Sequence, residues 1–229
     1  MQANNRISTF RLILIPGLLG LAITLLRLVG ELRHWSEKWF STATGGIEPS
    51  GMSWLIGITW LPLPFGIYFA LKRLASQQKP AQPSKVLLYP GLAFVLVLAL
   101  NFFGHLIPVS FPNVRIVYSS VMATAAGIAW RGWPQLGRVM CAYGFATRIP
   151  VVILMFFAML GKWGTHYDYV GMPASFHMSF WPGFFWLVFL PQLFFWIGFT
   201  IVMGTLTGGI AASIVLRKRH AVLTSSVFS

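Results

Sequence analysis

Acid is what this sequence most lacks. Four of its 229 residues are Asp or Glu, and none lies inside an apolar stretch. That excludes a carboxylate proton relay, which needs Asp or Glu within the bilayer. Charge of either sign is scarce, at 9% against about 25% in a soluble domain. A surface built mainly for water is excluded with it. A single cysteine, Cys141, lies in an apolar run, so an internal disulfide and a Cys-rich metal site are both out of reach. No apolar stretch carries the interior lysine that retinal needs. Haem clamped between two helices needs two histidines in the membrane, and only His105 approaches it. The phosphate-binding Gly-x-x-x-x-Gly-Lys loop is missing, as is the His-Glu-x-x-His zinc pattern. With no activated Ser or Cys motif either, the sequence leans away from an enzyme and names no cofactor.

What is present is apolar residue in long runs, 56% of the chain. A membrane-spanning helix needs about 20 mostly apolar residues. Six runs qualify, over 12–30, 54–71, 86–108, 114–130, 134–160 and 182–216. The predicted fold is therefore all-α, a polytopic transmembrane bundle of six helices forming one membrane domain over 1–229. Residues 75–85, rich in Gln, Lys and Pro, read as a cytoplasmic linker. Arg6 and Arg11 followed by Leu12 to Leu26 resemble a signal peptide without a cleavage site, which predicts an uncleaved first helix. The sixth run would reach about 50 Å at 1.5 Å per residue. It must tilt, project, or break near Gly204, Gly208 and Gly209.

The net charge of +13 would suggest nucleic acid on a soluble protein, but here the basic residues punctuate apolar runs. Nucleic-acid binding is excluded on that pattern, and the charges are read as topology signals. With the N-terminus inside, eleven Lys and Arg fall on the inner side: Arg6, Arg11, Lys72, Arg73, Lys79, Lys85, Arg131, Arg138, Arg217, Lys218 and Arg219. Five fall outside: Arg27, Arg33, Lys38, Arg115 and Lys162. Both ends are thus predicted cytoplasmic, in a plasma membrane, the inner one if the cell is bacterial. The four acids, Glu31, Glu37, Glu48 and Asp168, segregate to the outer side, as do His34, His105, His166 and His177. Trp35, Trp39, Trp54, Trp163 and Trp181 mark the outer interface, and Trp130 and Trp133 the inner one. Leu28, Leu32, Trp35 and Trp39 would share one face of a helix that prolongs the first span or lies on the membrane surface. Arg27 and Glu31 stand at ion-pair spacing.

Two constellations could carry chemistry. Arg148 lies about 12 residues, or about 18 Å, below the outer end of its helix. An arginine that deep needs a partner, and with no acid available the candidates are Gln192, Asn101, Ser119, Ser120, backbone carbonyls, or an anionic ligand or lipid. Pro62, Pro64, Pro150 and Pro191 are predicted to kink their helices at a similar depth, which suggests a transporter-like site for a small solute or lipid. The second constellation is on the outer face, where His105, His166, Asp168 and His177 could ligate a metal. Gly204-x-x-x-Gly208 and Ser119-x-x-x-Ala123-x-x-x-Gly127 read as helix-packing faces. The readings carried forward are solute or lipid handling at Arg148, an outer-face metal enzyme, and a non-catalytic subunit. The expected partners are membrane lipid and a second copy or other membrane-complex subunit.

Overall fold

The computed structural model describes residues 8–42, 52–109, 112–168 and 178–225. Those residues form six helices and no strand. They are α1 Thr9–Leu32, α2 Pro62–Ala75, α3 Lys85–Phe103, α4 Val114–Gly132, α5 Pro134–Gly161 and a composite α6 over 180–225. Four stretches are long and apolar enough to cross a membrane: Thr9–Leu32, Lys85–Leu106, Pro134–Gly161 and Phe180–Lys218.

The second run departs most from expectation. Pro62 and Pro64 do not kink a helix over 54–71; Pro62 is the first residue of α2. Proline suits that position, because its missing N–H would be unpaired there anyway and its φ is already helical. The preceding residues form a short 3₁₀ turn, Ser53–Ile56, and then irregular chain to Leu61. Helix α2 keeps 14 residues, about 21 Å of length, against a hydrocarbon core of about 30 Å. The predicted amphipathic extension after α1 is also absent. The chain turns at Arg33 and His34, where His34 has φ 49°, and Trp35 packs edge-on against Phe40.

Helix α6 answers the length problem without breaking at its glycines. It begins with one α-helical turn, Phe180–Gly183, widens to π-helix over Phe184–Phe189 and Pro191–Phe195, and continues as α-helix over Trp196–Ser225. Gly204 and Gly208 lie within that last continuous stretch. They let α2 approach backbone to backbone: a Cβ on Gly66 would collide with the Gly204 carbonyl, and one on Gly208 with the Gly66 carbonyl. Thr207 adds a bond across the same crossing, donating to the Leu63 carbonyl at 3.0 Å. Small residues at such crossings do the work that hydrophobic burial does in water.

Helix α6 packs on α2, α3, α4 and α5, and α1 lies against α5. The buried face of α1 repeats at helical spacing through Leu12, Pro16, Gly20, Thr24 and Glu31. On α4 the buried stripe is Ser119, Met122, Ala125, Ala126 and Ala129; Ala123 and Gly127, of the predicted small-residue face, are exposed. Trp133 is 1% exposed and belongs to the core, not to an interfacial belt. The bundle has two distinguishable ends. At one, Thr9, Arg73, Gln78 and Arg138 come together, with Arg73 donating to Thr9 Oγ1 at 2.9 Å and to Gln78. At the other, Arg27 and Glu31 meet the loop after α5.

Candidate functional site

Helix α5 carries Arg148 on its buried face, with Tyr143, Gly144, Thr147, Val151 and Met155. The arginine is 4% exposed. Its Nη1 donates to Gln192 Oε1 at 3.1 Å, and its guanidinium carbon lies 4.8 Å from the centre of the Trp196 ring. Gln192 in turn places Nε2 3.7 Å from Met155 Sδ. Gln192 sits in the second π segment and Trp196 just after it, so the widened part of α6 supplies both neighbours. The Arg148 Nε is buried and has no hydrogen-bond partner among the described residues. No carboxylate pairs with this guanidinium among the described residues.

Arg148 and Gln192 line a cavity of about 260 Å³. The irregular chain before α2 forms one wall through Ile56, Gly57, Ile58 and Thr59. Thr24 and Arg27 of α1, together with His166 and Tyr167 from the loop after α5, line it as well. Non-helical backbone at membrane depth is tolerated where it lines a cavity and not where it faces lipid. Residues 57–59 of the irregular stretch line the cavity, whereas Trp60 is exposed.

Behind the Arg27 side of the cavity lies a paired cluster. Glu31, 2% exposed, accepts from Arg27 Nε at 2.9 Å and from the backbone N–H of His166 at 2.9 Å. It also meets His166 Nδ1 at 2.6 Å. Burial holds the His166 imidazole below its ordinary value, against the pull of the Glu31 carboxylate. Burial pushes the Tyr167 hydroxyl well above its ordinary range; this hydroxyl donates to the Thr24 carbonyl at 3.2 Å. Asp168 spends both carboxylate oxygens on its own loop, accepting from the N–H groups of Gly164 and Thr165 at 2.9 and 2.8 Å.

The sequence-predicted candidates therefore divide. Arg148 and Gln192 touch. Ser119 is buried on α4 and lines a neighbouring cavity of about 370 Å³ with Tyr118, Pro191, Phe195 and Trp196. Asn101 and Ser120 are exposed on α3 and α4 and line neither cavity. Of the metal candidates, His105 is exposed in the short turn Gly104–Leu106, and His166 is tied to Glu31. Asp168 is committed to its loop, and His177, like Glu48, lies outside the described residues. No group of three His, Cys, Asp or Glu residues able to hold a metal occurs among the described residues.

Sequence reasoning missed Trp196, Tyr167, Thr59 and the Glu31–His166 contact. Only the first half of that cluster had a local signal, in the spacing of Arg27 and Glu31. Comparison with family models, curated proteins and solved structures found no match to this chain.

Proposed function

We propose that this chain is a multi-pass membrane protein that handles a small solute or a lipid in the cavity around Arg148. One observation carries the reading: the deep pair Arg148–Gln192 shares a cavity with Arg27 and His166 at one end of the bundle. A deep arginine held for packing alone would be sealed among apolar side chains and carbonyls. This one has an amide partner, an indole face and open space. Intramembrane charge beside interrupted helices is the usual composition of a substrate site. In this reading six helices span the plasma membrane with both ends cytoplasmic, and α2 and α4 complete the bundle beside the four longer spans. The cavity then opens toward the outer side, where Arg27 and His166 lie.

Cysteine labelling tests cavity and topology together. In a Cys141→Ala background, Thr59→Cys should react from outside intact cells with a membrane-impermeant maleimide. Gln77→Cys, in the linker after α2, should react only once the membrane is opened. A Thr59→Cys protein that stays unlabelled under both conditions overturns the cavity reading. Labelling of Gln77→Cys from outside overturns the topology.

A second reading rests on α4. Ala123 and Gly127 are exposed at helix-packing spacing, and a Cβ on Gly127 would meet nothing within 4 Å. That face suits a partner helix, from a second copy or from another subunit of a membrane complex. Gly127→Leu should then shift the protein to a smaller assembly in size-exclusion chromatography with light scattering. An unchanged mass refutes it.

A further inference from the structure

We infer that the cavity takes an oxyanion, a carboxylate or phosphate group, at the guanidinium of Arg148, whose buried Nε has no hydrogen-bond partner among the described residues; the inference rests on the reading of the cavity as a ligand site. The charges around it decide its sign. Among the described residues two arginines, Arg27 and Arg148, line the cavity, and no carboxylate does. The nearest acids are already engaged: Glu31 with Arg27 and His166, and Asp168 with the backbone of its own loop. Glu31 therefore compensates Arg27, and among the described residues the Arg148 guanidinium meets the Gln192 amide and the Trp196 ring.

A buried cation without a counter-charge is unfavourable, and an anion that completes it gains most where water is excluded. The geometry favours an oxyanion over a halide. Nη1 is spent on Gln192, while Nε, on the guanidinium's other side, has no partner among the described residues. That edge is the one arginine offers to two oxygens at once. Thr59 and His166 put further hydrogen-bonding groups on the walls. Ile56, Ile58, Val151 and Met155 make the remainder apolar, which suits a short carbon skeleton or the neck of a lipid. Trp196 also lines the more apolar cavity of about 370 Å³ beside α4, so a lipid tail has room on its far side. The same oxyanion chemistry thus fits a free anion and a lipid headgroup.

The test uses the full chain with Cys141→Ala and Thr59→Cys, in phosphatidylcholine nanodiscs at constant ionic strength. The rate of maleimide labelling at Thr59→Cys is read with inorganic phosphate, with phosphatidylglycerol added to the disc, and with uncharged diacylglycerol. The expected result is at least about fivefold slower labelling with phosphate or with phosphatidylglycerol. Slowing by phosphate identifies a free oxyanion, and slowing by phosphatidylglycerol alone identifies a headgroup. The apparent affinity should weaken at least about tenfold in Arg148→Gln, a loss of about 1.4 kcal/mol. It should weaken less in Arg148→Lys, which keeps the charge but not the two-donor edge, and not at all in Arg33→Gln, on the exposed surface. If Arg148→Gln does not fold, protection in the Arg148 protein and its weakening in Arg148→Lys still decide. No protection by either anion, or equal protection in all variants, overturns the inference. Protection by diacylglycerol alone overturns the anionic class and leaves the cavity reading standing. A Thr59→Cys that never labels removes both.

Discussion

Glu31 joins α1 to the loop after α5, and its removal should be the most damaging single-carboxylate change among the described acids. The side chain is fully buried, while those of Arg27 and His166 keep 15% and 20% of their exposure. Three hydrogen bonds converge on this one carboxylate: Arg27 Nε, His166 N–H and His166 Nδ1. Breaking a fully buried ion pair destabilises by about 3–5 kcal/mol, because one charge is left without compensation. Here the stranded Arg27 retains some water and a long contact to the Ser41 carbonyl at 3.4 Å, which places the expected loss for Glu31→Ala at the lower end, about 3 kcal/mol. Glu31→Gln keeps an acceptor oxygen but not the charge, and should lose about half as much, about 1.5 kcal/mol. In a double-mutant cycle with Arg27→Met, the coupling should be about 1–2 kcal/mol. Reversible unfolding by sodium dodecyl sulfate in mixed micelles measures all four proteins. A Glu31→Ala loss below about 0.5 kcal/mol, the range of ordinary surface changes, would refute the reasoning. So would additive single effects.

Two further expectations use the same assay. Gly66→Ala drives a Cβ into the Gly204 carbonyl and should destabilise by about 1–3 kcal/mol, whereas Gly91→Ala, with open space around its Cβ, should stabilise by about 0.5–1 kcal/mol. Similar values at the two positions would mean that α2 and α6 do not meet backbone to backbone. The second concerns pH. His166 is held below its ordinary value by burial, with Arg27 pushing the same way and Glu31 opposing. As pH falls through about 6.5, the unfolded chain takes up this proton before the folded one does, so stability should decline toward the lower, native value and be flat above about pH 7.5. His166→Gln should remove that part of the slope, and an unchanged slope would sink the assignment.

Much of the fold was legible because apolar runs report helices directly. Five of the six predicted runs coincide with observed helices to within a few residues at most of their ends, the largest exceptions being the ends of the third and sixth. The second failed because proline carries two messages: it bends a helix from inside and opens one from its first residue. Both readings of Pro62 satisfy the same sequence. At the site, depth was legible and direction was not. Counting residues placed Arg148 and Gln192 in one layer, and they touch. The same counting offered Asn101 and Ser120, which point away. Helix α3 is apolar nearly all round, so its sequence holds no phase from which to orient Asn101. The Glu31–His166 contact joins residues 135 positions apart, and no local spacing encodes it.

The prolines nonetheless explain why the cavity lies where it does. Pro62 ends the irregular segment whose residues 57–59 line the cavity, and Pro191 opens the second π segment, which presents Gln192 just before Trp196. Pro62 has no ladder bond to lose at the first position of α2, whereas Pro191 withholds one N–H inside α6. One site starts the helix there, the other widens the turn to i→i+5 bonds, a form frequent at functional sites. Pro150 stands two residues beyond Arg148 on the facing helix. Ile56 to Thr59 of the backbone before α2 and Gln192 of the second π segment thus line one cavity. Had α2 run unbroken through residues 57–61, its side chains would have packed where the cavity is. Arg148 would then meet apolar neighbours on that side. The cost of that arrangement, a buried cation with neither space nor counter-charge, is what the broken helix avoids. The same break leaves Arg148 without a carboxylate partner among the described residues, since Glu31 is already committed to Arg27 and His166.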